Sequence, residues 1–306
     1  MYIAGINGMV GSAIAREALL NNFEVIGKSS KELDLRNREN TFLELESEKP
    51  DILIMAAAVV GGIAANYEFP VEFLSHNLQI QTNLLDAAHS AGIKKVVFLG
   101  SSCIYPKLSP QPIQEKSLMS GPLESSNEAY AIAKIAGIKL VQSYRRQHKH
   151  DWISINPSNL YGPGDNFDVQ TSHVLPALIR RFHVAKTNNS SSIEIWGDGT
   201  PVREFLHVDD LAKGVFQIIE KYDGDDAINI GTGKGISISD LASLIKKIIG
   251  FEGNITFNPN FPNGTPVKIL NIDKIKDIGW SPNIGLELGI NKTYKWFLGN
   301  NKDLER

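Results

Sequence analysis

A doubly wound, mainly parallel α/β sheet with a second, smaller lobe is the fold this sequence predicts, on three observations. Short β-rich runs alternate with helical patterns through the first half of the chain, the rhythm of strands joined by helical crossovers. Val96-Val97-Phe98-Leu99 is continuously apolar, as a parallel strand covered on both faces should be. After Pro157, clusters such as Tyr161-Gly162-Pro163-Gly164 and Phe261-Pro262-Asn263-Gly264 break the pattern more often, which places a loop-rich lobe there.

The first strand is expected at Tyr2 to Ala4, followed by Gly5-Ile6-Asn7-Gly8-Met9-Val10-Gly11 and a helix from Ser12 to Leu20. A tight turn, close backbone approach and free helix N-terminal amides are what a dinucleotide pyrophosphate requires, and glycine meets the first two needs. The spacing is G-x-x-G-x-x-G, so this first unit reads as Rossmann-type, with Gly5, Asn7, Gly8, Met9, Val10 and Gly11 against the cofactor. The second strand, Glu24 to Ile26, ends in Gly27-Lys28-Ser29-Ser30-Lys31, with two ammonium groups and no carboxylate. Positive charge there suits a 2′-phosphate, so Lys28 and Lys31 point to NADP over NAD.

A third strand is expected at Asp51 to Ala56 and a fourth at Lys95 to Leu99, with Gly100-Ser101-Ser102-Cys103 at its carboxyl edge, where such sheets bind ligands. Tyr130-Ala131-Ile132-Ala133-Lys134 puts a phenol and an ammonium on one helix face. A nearby ammonium is expected to lower the phenol's pKa and suit it to proton transfer in carbonyl reduction. This helix is apolar over more than one stripe, which with a partner helix around Asn77 to Ala91 predicts a four-helix homodimer interface. A fifth strand is expected at Trp152 to Asn156. Ala227 to Gly231 reads as a further buried strand, so the lobes interleave: 1–158 with 205–232 for the dinucleotide, 159–204 with 233–306 for the substrate.

Composition narrows the function. The 306 residues, 42% of them apolar, can fill a sizeable core. A net charge of −3 from 31 basic and 34 acidic residues leaves no footprint for nucleic acid or membrane. One cysteine excludes an intramolecular disulfide, no metal site is predicted, and no apolar run approaches the roughly 20 residues of a membrane span. The N-terminus leads directly into a strand, so cytoplasmic residence is expected.

Together, G-x-x-G-x-x-G, a serine after strand four and Tyr-x-x-x-Lys form the set of the extended short-chain dehydrogenase/reductases, which this chain resembles. Gly8 to Ala13, Gly100 to Pro106, Tyr130 to Lys139, Asn159 to Pro163 and Trp196 to Asp210 resemble the GDP-L-fucose synthases more narrowly, nearly throughout. That resemblance implies epimerisation of GDP-4-keto-6-deoxymannose at two ring carbons, then NADPH reduction of its ketone. By the family's pattern Ser101 and Tyr130 bind the keto oxygen, Tyr130 supplies a proton, and Lys134 holds the ribose. Cys103 and His173 match the epimerising pair, a thiolate removing a proton beside a ketone and an imidazole returning one. The resemblance, not the spacing, selects His173 over His207. It also places Asp34, Leu35, Leu99, Gly100, Pro157, Asn159, Leu160 and His173 at the cofactor, and Arg181, Trp196, Arg203 and Asn263 at the GDP-sugar. Three positions depart from the pattern: Asn7 for arginine, Val59 for lysine, Asn263 for aspartate. A related enzyme acting on a colitose-type 3,6-dideoxy ketosugar stays open as an alternative. So does a catalytically silent nucleotide-binding regulator, although that would not need Ser101, Tyr130 and Lys134 together.

Overall fold

The computed structural model describes residues 1–261 and 263–300; Pro262 and the last six residues of the expected substrate lobe, 301–306, lie outside the described residues. Five parallel strands, β1 (Tyr2–Ala4), β2 (Ile52–Met55), β3 (Lys95–Leu99), β4 (Asp151–Pro157) and, later in the chain, Ile228–Ile230 form the central sheet in that spatial order. The strand expected at Glu24 to Ile26 is reduced to a single bridge, Tyr2 to Ile26, with Ile3 N–H donating to Ile26 O and Ile26 N–H to Met1 O. The pairing is cut short because Gly27 passes against Ile3 O, so closely that a Cβ would collide with it. Since β1 has residue 26 on one side and β2 on the other, the chain direction around the sheet reverses at β1, and a crevice opens above its carboxyl end.

Helices cover both faces. On one side α1 (Met9–Leu20) packs on Val208–Lys221; on the other, α2 (Arg38–Glu48), a short α3 (Ile63–Glu68) on the approach, α4 (Asn77–Ser90) and α5 (Glu128–His148) follow one another. Local chemistry sets their ends. Asn37 Oδ1 accepts from Asn40 N at the start of α2. In α5, Glu128 lies in the first turn and Arg145, Arg146 and His148 in the last, complementing the helix dipole. A π-helical turn, Glu72–His76, precedes α4 and carries the buried Phe73 edge-on to the Tyr130 ring.

The remaining elements are β5 (Asn159–Tyr161), α6 (Val174–Thr187), β6 (Ser192–Trp196), β7 (Val202–His207), α7 (Val208–Lys221), β8 (Ile228–Ile230), β9 (Gly235–Ser237), α8 (Ile238–Ile249), β10 (Asn254–Asn258), β11 (Val267–Lys268), α9 (Asp273–Asp277) and α10 (Leu286–Asn300). Strand β7 is the hub of the second lobe, parallel to β5 and β11 and antiparallel to β9, while β6 pairs with β10. Two apolar cores result. The larger surrounds the five-stranded sheet and takes in Leu270, Ile272, Ile275 and Trp280 from late in the chain; the smaller joins α6, α8 and α10. No described helix is long and apolar enough to cross a membrane.

Candidate active site

The carboxyl ends of β1 and β3 build the two halves of the crevice. Gly5 has φ of +85°, and a Cβ on it would lie 2.7 Å from Ala57 N, so only glycine lets the turn pass beneath the end of β2. A Cβ on Gly11 would strike the Gly5 carbonyl. Helix α1 then starts without a side-chain cap, leaving its first amides for an anion. These features fit the pyrophosphate of a dinucleotide across Gly5, Asn7, Gly8, Met9, Val10 and Gly11. Leu99 ends β3, and Gly100 N–H donates to Ile155 O at 2.7 Å. Pro157 ends β4, while Asn159 and Leu160 open β5 on the same edge, Asn159 Nδ2 donating to Glu204 O at 2.8 Å.

The catalytic candidates come together after β3. Ser101 caps a short 3-10 turn, Ser102–Ile104, its Oγ accepting from Cys103 N at 3.1 Å. Lys134 is 4% exposed and donates from Nζ to Leu99 O at 2.7 Å, its ammonium 4.9 Å from the Phe98 ring centre and 5.8 Å from that of Tyr130. From β11, Lys268 Nζ donates to Cys103 Sγ at 3.5 Å. Burial pushes the Cys103 thiol up, but Lys268, the Ser101 hydroxyl and the Arg203 guanidinium outweigh it, leaving the thiol more acidic than usual. His173, an exposed residue just before α6, has its imidazole pKa lowered by local desolvation and then by the same Lys268 charge. One ammonium thus acts on both partners of the thiol and imidazole pair.

The tyrosine differs from expectation. Its phenol is pushed up, not down, by burial and then by the Cys103 charge, with the Ser101 hydroxyl opposing. Lys134 is itself lowered to about 8 by burial. The physical reason is that the phenol of the half-buried Tyr130 is desolvated, while the buried Lys134 ammonium is directed to a backbone carbonyl and a phenyl ring instead of the phenol oxygen.

Residues expected at the GDP-sugar divide into two sets. Arg203 donates to Val202 O at 2.9 Å and to Asn263 O at 3.4 Å, Asn263 Oδ1 accepts from Asp198 N, and Trp196 stacks on Phe261 with ring centres 4.4 Å apart. Arg181 instead donates to Glu194 O on β6, and burial lowers its pKa. Its neighbour Arg180 is tied to Phe167 O and is structural.

The chain matches the NAD dependent epimerase/dehydratase family over residues 1–231. It belongs to this family. Among relatives, it is 50% identical to the "Probable GDP-L-fucose synthase 1" of Oryza sativa subsp. japonica, over 98% of this chain and 92% of that one. It is 45% identical to the GDP-L-fucose synthase of Escherichia coli (strain K12), over 98% and 97%. A solved GDP-L-fucose synthetase from Naegleria fowleri bound to NADP superposes with a TM-score of 0.90 at 28% identity, covering 100% of this chain and 95% of that one. The Rossmann-type fold expected from the sequence is thus shared with this epimerase/dehydratase family.

Within that family frame, two features escape a linear reading. The turn at 27–31 is not free of carboxylate: Glu32 accepts from Ser29 N and Oγ, and Glu44, from α2, forms an ion pair with Lys28 while accepting from Tyr2 OH at 3.2 Å. Lys31 is exposed and joins no ion pair among the described residues. Asp34 is gripped by Arg36 through two oxygens and held down at about 2, and Leu35 O accepts from Asn83 Nδ2. The second feature is Lys268. It lies 165 residues from Cys103, and only the pairing of β11 with β7 brings it there. The Gly264-Thr265-Pro266 turn before β11 was its one local signal.

Proposed function

We propose that the chain epimerises GDP-4-keto-6-deoxy-D-mannose at carbons 3 and 5 and reduces the 4-keto group with NADPH to give GDP-L-fucose. The observation that carries this reading is the approach of Ser101 and Tyr130 to Cys103 together with the action of Lys268 on both Cys103 and His173, a keto-oxygen site next to a carbon-acid site. NADPH, when held on the glycine turn, supplies the hydride. Cys103, as thiolate, takes the proton from a carbon made acidic by the adjacent ketone, and His173, entering the step as imidazolium, returns one to the opposite face and leaves as neutral imidazole. Ser101 and Tyr130 hydrogen-bond the ketone oxygen, where Tyr130 delivers the final proton. A phenol kept protonated by burial suits that task better than a standing phenolate. Lys134 would bind the cofactor ribose, and Arg203, Trp196, Asn263 and Arg181 the nucleotide diphosphate and base, guanidinium groups being suited to pyrophosphate.

In this reading residues 1–158 with 205–232 hold NADP, and 159–204 with 233–306 hold the GDP-sugar, with the 270–280 segment packed back on the first core. Ile132, 43% exposed on α5, supports a homodimer through α4 and α5, and light scattering showing only monomer at micromolar concentration would remove that part. A free acidic thiol as a working group stays reduced in the cytoplasm, where we place the protein. The deciding experiment is incubation with NADPH and a panel of GDP-4-ketosugars, including a 3,6-dideoxy one, reading cofactor oxidation and product structure. Turnover only of the dideoxy sugar would reassign the substrate, and no turnover of any would leave a silent nucleotide binder.

A further inference from the structure

Strand β11 is two residues long, yet it carries the ammonium that touches Cys103. So short a strand cannot hold a lysine in place by its own ladder, where Val267 and Lys268 face only Val202 and Arg203. A single bridge beyond it joins Leu270 to Ile113, Ile113 N–H donating to Ile269 O and Asn271 N–H to Ile113 O, and side chains on either side fasten the rest. Glu204, the residue after Arg203 on β7, is fully buried, and its carboxylate faces backbone amides. Its Oε1 accepts from Thr232 N and from Gly233 N at 2.8 Å, and its Oε2 accepts from Leu270 N at 2.6 Å. The fit is close enough that a Cβ on Gly231 would collide with Oε1. On the opposite side Gln111 Nε2 donates to Val267 O at 3.0 Å, and its Oε1 accepts from Ile269 N at 2.9 Å. Two side chains from distant parts of the chain therefore bracket Lys268 at its flanking amides and carbonyl.

We infer that Glu204 and Gln111 are positioning residues that clamp residues 267–270 and thereby hold Lys268 Nζ against Cys103 Sγ. The inference deepens the proposed function, resting on Cys103 as the group that removes the proton. A carboxylate is the fitting acceptor for three N–H groups at once. An amide in its place would turn an NH2 toward at least one of those donors, leaving that donor stranded and pushing the segment away. Around Cys103 the charged or titratable groups are Lys268, Arg203 and Tyr130, with the Ser101 hydroxyl beside them. Lys268 is the one among them whose strand these two residues hold, so its displacement is read in the acidity of the thiol.

Because Cys103 is the chain's single cysteine, its acidity can be measured in the whole, substrate-free protein by the pH dependence of iodoacetamide alkylation. Lys268→Met sets the full effect. Glu204→Gln is expected to slow alkylation at pH 7 by about tenfold, a shift of one pKa unit. Gln111→Ala, removing the weaker clamp, should slow it by about threefold. Combining Glu204→Gln with Lys268→Met should react no slower than Lys268→Met alone, since the carboxylate acts through the lysine. Full parent rates at every pH in either clamp variant, or multiplying effects in the double variant, would overturn the inference. Were Glu204→Gln not to fold, Gln111→Ala and its combination with Lys268→Met would decide in the same way. A purely structural role would lower the melting temperature and leave the alkylation midpoint in place. Solvent deuterium exchange into a GDP-4-ketosugar is a separate readout. Shifted alkylation with exchange untouched would retain the clamp and discard the role of Cys103 in the reaction.

Discussion

The two halves of the pocket are built in opposite ways. The half we assign to reduction, Ser101, Tyr130 and Lys134, comes from one strand end and one helix, and its lysine neighbours are a carbonyl and a phenyl ring. The half we assign to epimerisation, Cys103, His173 and Lys268, comes from three segments spread over both lobes, and its acidities are set by desolvation together with one shared ammonium. Where groups share a helix, spacing fixes who meets whom but leaves their charges to burial. Where groups arrive from afar, the meeting adds a charge to what burial does. Proton transfer to oxygen and proton transfer at carbon should therefore fail separately.

The largest expected effect tests that separation. Tyr130→Phe should cut NADPH oxidation by about 10²-fold or more while deuterium exchange beside the ketone stays measurable. Cys103→Ala should do the reverse, with little exchange and any slow reduction giving an unepimerised 6-deoxyhexose. Mass and proton spectra of products formed in deuterated water distinguish them. Parent-rate incorporation at both carbons in Cys103→Ala would merge the two halves.

That division also explains what was legible in the sequence. The glycine turn, the strand at Lys95–Leu99 and the Tyr130–Lys134 pair are local, and periodicity or spacing places them. The strand at Glu24–Ile26 was overread because its pairing depends on how closely Gly27 passes β1, a tertiary fact. The phenol was read with the wrong sign for a related reason: spacing shows that Lys134 can approach Tyr130, yet only the fold shows the ammonium turned to Leu99 O. Lys268 and Glu44 were out of reach of any window, since each meets its partner through strand or helix packing. His173 became readable only through the family resemblance, as nothing near it in sequence separates it from the buried His207.

Removing the other end of the carbon-acid pair should give a smaller effect. His173→Gln keeps the thiolate and loses the proton donor, so exchange should persist while inversion falls by about tenfold. The ratio of exchanged to inverted product, read by proton spectra, measures this. An unchanged ratio would assign the return of the proton to another group, such as Lys268, whose charge acts on His173.

The half assigned to reduction carries a desolvation cost at its lysine. Lys134 is lowered to about 8 from 10.5 by burial. Between those two values the unfolded chain holds a proton that the fold has released, so stability contributed at this site rises with pH across the window and is lowest below it. The strain near neutrality is on the order of 3 kcal/mol before the lost Leu99 hydrogen bond is set against it. Lys134→Met should thus compare best with the parent at pH 7, and its relative melting temperature should fall by several degrees between pH 7 and 10. A difference independent of pH would mean that the ammonium is better solvated than its 4% exposure implies.

The smallest effect lies at the cofactor edge, where the logic of distant partners recurs at the surface. Lys28 and Glu44 neutralise one another, so of the two lysines in the turn only Lys31 offers unpaired charge to a 2′-phosphate. Glu44→Gln keeps an acceptor for Tyr2 OH and frees the Lys28 ammonium, adding one positive charge to the turn. Lys31→Ala subtracts one. Because Lys28 is exposed and screened by solvent, each change has a small effect. The ratio of kcat/KM for NADPH over NADH should therefore rise about two- to fivefold in Glu44→Gln, fall by a similar factor in Lys31→Ala, and return near the parent value in Glu44→Gln combined with Lys28→Ala. Both shifts should shrink as salt is raised. A ratio unmoved by Glu44→Gln but lowered by Lys31→Ala would mean that Lys28 faces away from the phosphate, and that the ion pair serves only to join α2 to the turn after Ile26.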